Sequence, residues 1–535
     1  MLIRASGVAR VFGDVNIFEG VEVEVGAGER LALIGENGSG KSTLFRLLAG
    51  LDAPDAGAVT RAGRVALLAQ QADLAVKRVL DAVTPPELMR AQVAFELASA
   101  RLGDSSEEAL TAFAEAEELY RTLGGYEFEA RANAVLGGLG VDGGAQTNQL
   151  SGGQVRRVML ARLLLSPADV YLLDEPTNHL DLDGAKWLEG WIRASSAAFV
   201  LASHDRAFLD AVATQTAELE RGKLTLYPGN YSEAMALKAT LREAQERDYE
   251  AYRRKKAALE EEQRRQASKG GVEENRKRAK DGDKFRSTFK SERGQQVFSA
   301  RAKAMQKQID RLDAQAVSKP FQDRRVVRLD LPLTPPGAAE VLTVKDLRVE
   351  RDGVPVLEDV NLHVRRGDRI ALTGPNGGGK STLIAALLGQ LPHAGEVKWG
   401  AGLTRYVAGQ HGEELRGLST VGDALLDANP ALTPHQLFEV AAQVQLPGPA
   451  FPLADLSGGQ RTRLSLARLS VTRAQVLVLD EPTNHLDIRM IEALEDLLTS
   501  FPGTVLLASH DRRLVEQVAT RVWFIGNGKV QENPL

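Results

Sequence analysis

Short apolar runs that stop abruptly at glycine or at acid recur along the chain. RLALI (30–34) and RIALT (369–373) read as buried strands, each followed by a glycine-rich stretch and then by a helical run, TLFRLLAG and TLIAALLG. DVYLLDEP (169–176) and QVLVLDEP (475–482) are apolar strands that end in paired acids. VRRVMLARLLL (155–165) follows a Ser-Gly-Gly-Gln start and reads as a helix. PPELMRAQVAFELASARLG (85–103) and SSEEALTAFAEAEELYRTLG (105–124) read as two more, rich in Ala, Leu and Glu. Residues 233–266 carry few apolar positions among Ala, Glu, Lys, Arg and Gln, which predicts a long exposed helix or half of a helical hairpin. Glycines in 268–294 are expected to break it, 295–315 to be helical again, and KPFQDRRVVRLDLPLTPPG (319–337) to be extended linker.

These patterns occur twice in one order. LIGENGSGKSTL matches LTGPNGGGKSTL, LSGGQVRR matches LSGGQRTR, LLDEPTNHLD matches VLDEPTNHLD, and LASHDRAFL matches LASHDRRLV. Gly35 and Gly374 are 339 positions apart, whereas Ser151 and Ser457, Asp174 and Asp480, and His204 and His510 are each 306 apart. The first copy therefore holds a surplus between its glycine loop and LSGGQ, expected as longer helices or a small arm at about 80–130. The expected organisation is a first α/β cassette over 1–222, a helical linker over 223–338 and a second α/β cassette over 339–535.

Composition narrows the function classes. A chain of 535 residues exceeds one ordinary core. With a net charge of −5, any nucleic-acid surface must be a local patch. In 264–293, eleven Lys and Arg face five Asp and Glu, so the linker tip is such a patch. The absence of cysteine excludes disulfides and thiolate metal sites. No unbroken apolar stretch nears the roughly 18–20 residues of a membrane span. MLIRASGVARVFG has no apolar signal core. Both features lead to the expectation of a cytoplasmic protein.

The chemistry lies in the repeated motifs. Gly35, Glu36, Asn37, Gly38, Ser39, Gly40, Lys41, Ser42 and Thr43 fit the phosphate-binding loop, as do Gly374, Pro375, Asn376, Gly377, Gly378, Gly379, Lys380, Ser381 and Thr382. Backbone N–H groups at a helix start favour phosphate oxygens. Lys41 and Lys380 are expected on the β- and γ-phosphates of ATP, with the hydroxyls of Ser42 and Ser381 on Mg2+. An apolar strand carries a carboxylate at an exposed end, facing solvent or a cation. Asp174 and Asp480 then suit the metal, and Glu175 and Glu481 suit a general base for water.

Glycine loop, LSGGQ, LLDEP and SHD in that order resemble the ATP-binding cassette (ABC) domain, twice over, across about 2–230 and 340–530. The resemblance implies that the cassettes pair head to tail within a monomer. Ser151, Gly152, Gly153 and Gln154 would cap the ATP held by Lys380, and Ser457, Gly458, Gly459 and Gln460 the ATP held by Lys41. It also implies that His204 and His510 are switch histidines on the γ-phosphate, and that Gln70 and Gln410 contact Mg2+ and water. Phe12 takes the place of the adenine-stacking aromatic. Its counterpart is Arg351, which could stack by its guanidinium plane or leave adenine loosely held.

EPTNHLD in both halves, YPGNYS (227–232), the helical linker and the surplus in the first cassette are similar to the ABC-F branch, soluble tandem cassettes that act on ribosomes. In that branch the closed, ATP-bound form engages the ribosome, the linker reaches toward tRNA and the peptidyl-transferase region, and hydrolysis gives release. Arg276, Lys277, Arg278, Lys280, Lys284 and Arg286 are the candidate contacts to rRNA and tRNA, electrostatic in kind. Phe285 and Phe289, at helical spacing, are expected to pack the tip. Some members regulate translation and others protect ribosomes from antibiotics; the long linker here leans toward resistance. The alternatives are the ATPase subunit of a transporter with a separate membrane partner, and a DNA-repair or chromosome ATPase. The latter usually carries zinc motifs or long coiled coils inside a cassette.

Overall fold

Where a residue run is apolar on both faces the chain forms a parallel strand, and where it alternates the chain forms an antiparallel one. The computed structural model describes all residues except 69–76, 103–105, 278–302, 315–336, 352, 410–414, 416, 485 and 534–535, and only the backbone of 266–277. The first half runs β1 (Ile3–Phe12), β2 (Val15–Val25), β3 (Arg30–Ile34), α1 (Lys41–Ala49), β4 (Ala56–Arg61) and β5 (Val65–Leu67). Then come α2 (Val79–Val83), α3 (Pro86–Ala100), α4 (Glu107–Thr122), α5 (Gly125–Gly138), α6 (Gly152–Leu165) and β6 (Val170–Asp174). It ends with α7 (Leu182–Ala194), β7 (Ala198–Ala202), α8 (Arg206–Val212), β8 (Gln215–Glu220) and β9 (Lys223–Pro228). The helices α9 (Tyr231–Lys277) and α10 (303–314) follow.

The second half repeats the plan as β10 (Glu340–Arg351), β11 (Val354–Arg365), β12 (Arg369–Thr373), α11 (Lys380–Leu387), β13 (Ala394–Trp399) and β14 (Arg405–Ala408). It continues with α12 (Val421–Ala428), α13 (Pro434–Gln443), α14 (Gly458–Val471), β15 (Val476–Asp480), α15 (Ile488–Ser500) and β16 (Thr504–Ala508). The end is α16 (Arg512–Val518), β17 (Arg521–Gly526) and β18 (Lys529–Asn533).

Each half holds a three-stranded antiparallel sheet, β2-β1-β4 or β11-β10-β13, and a six-stranded sheet of order β5-β6-β7-β3-β8-β9 or β14-β15-β16-β12-β17-β18. Parallel pairing of β6 with β7 and of β7 with β3 places three loops side by side at the carboxyl ends of adjacent strands. That edge is where ligands bind in sheets of this kind. β15, β16 and β12 do the same in the second half. Phe45, Leu47 and Leu48 of α1 are buried against Leu31 and Leu33 of β3 and Phe18 of β2 in one apolar cluster, so the helix behind the glycine loop is held rigidly. In the second half, Leu383 and Leu387 pack likewise with Leu372 and Trp523.

The surplus of the first half is the α3–α4 hairpin, since α2 and α5 have their counterparts in α12 and α13. Phe95 stacks on Tyr120 with ring centroids 5.2 Å apart and meets Phe113 at 5.5 Å, which holds the hairpin together. The described residues divide into two contact units, Met1–Ala234 with Arg325–Leu535, and Met235–Arg324. In the second unit Lys256 pairs with Asp313 at 2.8 Å, and the Tyr252 hydroxyl donates to the same carboxylate at 2.6 Å, joining α9 to α10.

Two elements depart from the sequence reading. The predicted break at 268 does not occur, because α9 continues through Gly270 and Gly271 to Lys277; a mid-helix glycine costs only about 1 kcal/mol and a long helix absorbs it. α5, flanked and ended by glycine pairs, was not expected as a separate helix. Among the described residues, no helix is long and apolar enough to cross a membrane.

Candidate functional site

The glycine loop between β3 and α1 wraps Lys41, whose Nζ donates to the carbonyls of Gly35 at 2.7 Å and Glu36 at 3.1 Å. Lys380 does the same with Gly374 at 3.0 Å and Pro375 at 3.2 Å. Both ammonium groups are buried at a helix start, and burial lowers the pKa of each, so each gains from a nearby anion.

At the end of β6, the Ser42 hydroxyl donates to Asp174 Oδ2 at 2.6 Å. This hydroxyl–carboxylate pair is a hard-oxygen set that fits Mg2+, which usually takes one or two protein ligands and fills its shell with phosphate and water. Among the described residues no cluster of three or more metal-binding side chains occurs, consistent with so sparse a site. The Gln70 and Gln410 candidates lie outside the described residues.

Glu175 and Glu481 follow the strands in the left-handed region, with φ of 52° and 51°. Their N–H groups donate to Ala202 and Ala508 across the sheet, each at 2.8 Å. The expectation that these acids stand at an exposed strand end is corrected for the second half, where Asp480 is 9 % exposed and Glu481 8 %; in the first half Asp174 and Glu175 are partly exposed. Neighbouring loops enclose the strand ends. Burial therefore pushes Glu175 up to about 8 and Glu481 to about 7, while Lys41 and Lys380 pull them back toward the charged form. The Nε2 atoms of His204 and His510 each lie 3.3 Å from the Oε1 of these glutamates. Burial, reinforced by the same lysines, lowers both histidines to about 4, so both rings are neutral near pH 7. His204 Nε2 also lies 3.2 Å from Asn37 Oδ1, which links the loop after β7 to the glycine loop.

Ser151 and Ser457 cap α6 and α14. Each Oγ accepts from the glutamine N–H three residues on, at 3.3 Å, and each serine N–H donates back to the Oε1 of Gln154 or Gln460, at 2.9 and 2.8 Å. This capping box commits the glutamine oxygen to the helix start. What remains for a phosphate is the serine O–H, the glutamine amide and the N–H groups of Gly152, Gly153, Gly458 and Gly459.

The two halves meet at the glycine loops. Asn376 N–H donates to Asp181 Oδ2 at 3.0 Å, and its side-chain amide donates to the His179 carbonyl at 2.8 Å. Reciprocally, Asn37 N–H approaches Asp487 Oδ2 at 3.5 Å. Burial works against the charge on Asp181, yet the N–H groups of Gly184 and Asn376 hold its carboxyl below the usual range. Leu180 and Leu486 are buried behind these loops; His485 lies outside the described residues. Phe12 is half exposed beside the guanidinium of Arg10, 4.9 Å from the ring centre. It pairs with Val15 as Arg351 pairs with Val354, so the two candidate base-facing residues occupy one register position.

A further set of cross-half contacts involves residues that the motifs did not single out. Arg206, two residues after His204, forms a buried ion pair with Glu495 of α15. Arg512, two after His510, pairs with Glu189 of α7 at 2.5 Å. Arg489 of α15 donates to Glu36 at 2.6 Å and to Glu220 at 2.8 Å. Of the linker candidates, Arg278, Lys280, Lys284, Phe285, Arg286 and Phe289 lie outside the described residues, as do the side chains of Arg276 and Lys277.

A family model described as ABC transporter matches residues 18–178 and 357–484. The chain is 34% identical to the tylosin resistance ATP-binding protein TlrC of Streptomyces fradiae, over 95% of this chain and 94% of that one. It is 30% identical to ABC transporter F family member 5 of Arabidopsis thaliana, over 99% of this chain and 76% of that one. Among solved structures, archaeal ribosome recycling factor aABCE1, in complex with the archaeal ribosomal stalk protein aP1, superposes with a TM-score of 0.61 at 19% identity. That match covers 99% of this chain and 90% of the other, and the likeness is one of fold.

Proposed function

This chain belongs to the ATP-binding cassette family, in its F branch of tandem cassettes, and from that premise we propose that it is an ATPase that closes on two ATP molecules and acts on the ribosome. The observation that carries the two-site reading is the reciprocal contact of Asp181 with Asn376 and of Asp487 with Asn37: each glycine loop is met by the opposite half. In this reading one ATP lies between Lys41 and the Ser457–Gln460 segment, and the other between Lys380 and the Ser151–Gln154 segment.

The residues divide the work. The loop N–H groups and the lysines bind the phosphates. Ser42 with Asp174, and Ser381 with Asp480, would hold Mg2+, which supplies charge neutralisation on the β- and γ-phosphates. Glu175 and Glu481 take the proton of the attacking water; burial raises both carboxyls, which strengthens them as bases, and the lysine beside each pulls back toward the carboxylate form that a base needs. His204 and His510, neutral and within reach of the glutamates, orient that water and the γ-phosphate. Water adds to the γ-phosphorus, the bond to the bridging oxygen of ADP breaks, and loss of the bridging charge frees the seam. Phe12 and Arg351 face the two bases.

The ribosome reading is supported by the F-branch membership, by the aABCE1 likeness in fold and by the basic excess of the sequence over 264–293. The resistance-named relative favours ribosome protection over a regulatory role. The test is co-sedimentation of the Glu175→Gln, Glu481→Gln double variant with ribosomes. With ATP it should pellet with them at least about tenfold better than the parent, because loss of the base slows turnover by about 10²–10⁴-fold and traps the closed state. Pelleting no better than the parent refutes the ribosome reading.

A further inference from the structure

The two glycine loops are not gripped alike. Arg489 follows the second NHLD segment at the start of α15 and reaches across the seam to the first cassette. There it meets Glu36 within the glycine loop at 2.6 Å and Glu220 at the end of β8 at 2.8 Å, with Glu218 at 4.0 Å. Glu36 is thus held at both ends. Its side chain is tied to the second cassette, and its backbone carbonyl accepts from Lys41 Nζ at 3.1 Å. The repeat predicts a mirror contact at the other seam, and the sequence denies it. The position equivalent to Arg489 is Asp183, and the position equivalent to Glu36 is Pro375, which has no acceptor on its side chain. Gly526 and Phe524 stand where Glu220 and Glu218 would be.

We propose that Arg489 is a positioning residue for the nucleotide site of Lys41 alone, a one-sided latch that makes this site close more firmly and release nucleotide later than the site of Lys380. The proposal rests on the two-site reading given above. Its physical basis is that an arginine shared by two carboxylates across a seam makes charge-assisted bonds that must break before the seam parts. Because Lys41 holds the carbonyl of the residue so latched, the strain of opening falls on the loop that binds phosphate. At the other seam, opening breaks the contacts of Asn376 with Asp181 and His179, and among the described residues no ion pair to the second glycine loop matches that of Arg489 with Glu36.

The experiment reads each site separately. In a Glu481→Gln background only the Lys41 site turns over, and in a Glu175→Gln background only the Lys380 site. Arg489→Ala should raise KM for ATP and speed ADP release by about three- to tenfold in the first background. In the second background it should change neither by more than about twofold, a site selectivity that a merely structural role would not produce. Arg489→Lys should recover part of the effect. Glu36→Pro, which copies the other loop, should reproduce Arg489→Ala and add little to it. Equal changes at both sites, or none at either, overturn the latch. Gly458→Asp, which blocks the opposing cap, separates the two ideas. If turnover at the Lys41 site survives it, the two-site reading is wrong; if turnover is lost but Arg489→Ala is silent, only the latch is wrong.

Discussion

At the scale of single residues, the chemistry dictates identity tightly enough to be read directly. A phosphate loop needs glycine where the backbone turns left-handed. Gly40 has φ of 103°, and a Cβ there would meet Ile17 Cγ2 at 2.5 Å; Gly38 has φ of 83° and open space around it. Gly38→Ala should therefore pay only the backbone term, about 1–2 kcal/mol, and Gly40→Ala that term plus about 1–3 kcal/mol of overpacking. Thermal unfolding should rank them in that order, and nucleotide binding at the first loop should be lost in the second variant. Equal losses would mean that the contact with Ile17 relaxes freely. The glycines, lysines, acids and histidines of both sites were legible because each motif occurs twice in register. Arg489 was not, because it has no twin; a contact that breaks the repeat leaves no echo in it. Glu189 and Glu495, 306 positions apart, do have that echo. They still read as helix-surface charges until the opposite half supplies Arg512 and Arg206.

Elements were legible where one period dominated. The strands before the glycine loops and the acids are apolar on both faces, so burial declares them. α9 outran its predicted end because glycine is a weaker stop within a long helix than in a short one. α5 was missed because glycines at both of its ends read as loop, although Gly138 is required by the close approach of Trp187. The α3–α4 hairpin has an aromatic cluster of its own, Phe95 with Phe113 and Tyr120. Phe95→Ala should cost it about 2–4 kcal/mol. Amide exchange should then quicken across 86–122 while ATP hydrolysis without ribosomes stays near the parent rate. A fall in hydrolysis would show that the hairpin is coupled to the site.

For the whole molecule, the joint between halves is made partly of charge. Arg206 and Glu495 are both only 4 % exposed at their side chains, and without Glu495 the buried guanidinium keeps only the half-exposed Glu492 at 3.7 Å, which compensates it poorly. Glu495→Ala should destabilise the protein by about 3–5 kcal/mol. Replacing both partners by apolar residues should recover most of that loss, as a double-mutant cycle in thermal or denaturant unfolding would register. Full additivity would mean that the pair is not the joint. Sequence order alone could not place this contact, since it depends on how two similar halves face one another.

The reciprocal pairs Arg206–Glu495 and Arg512–Glu189 involve no nucleotide. Where these pairs hold while the glycine-loop seam parts, re-engagement of the halves is a pivot about a standing fulcrum rather than a search by tethered bodies. Such a pivot is first order, indifferent to dilution, and shielded by burial from the salt that would weaken exposed attractions.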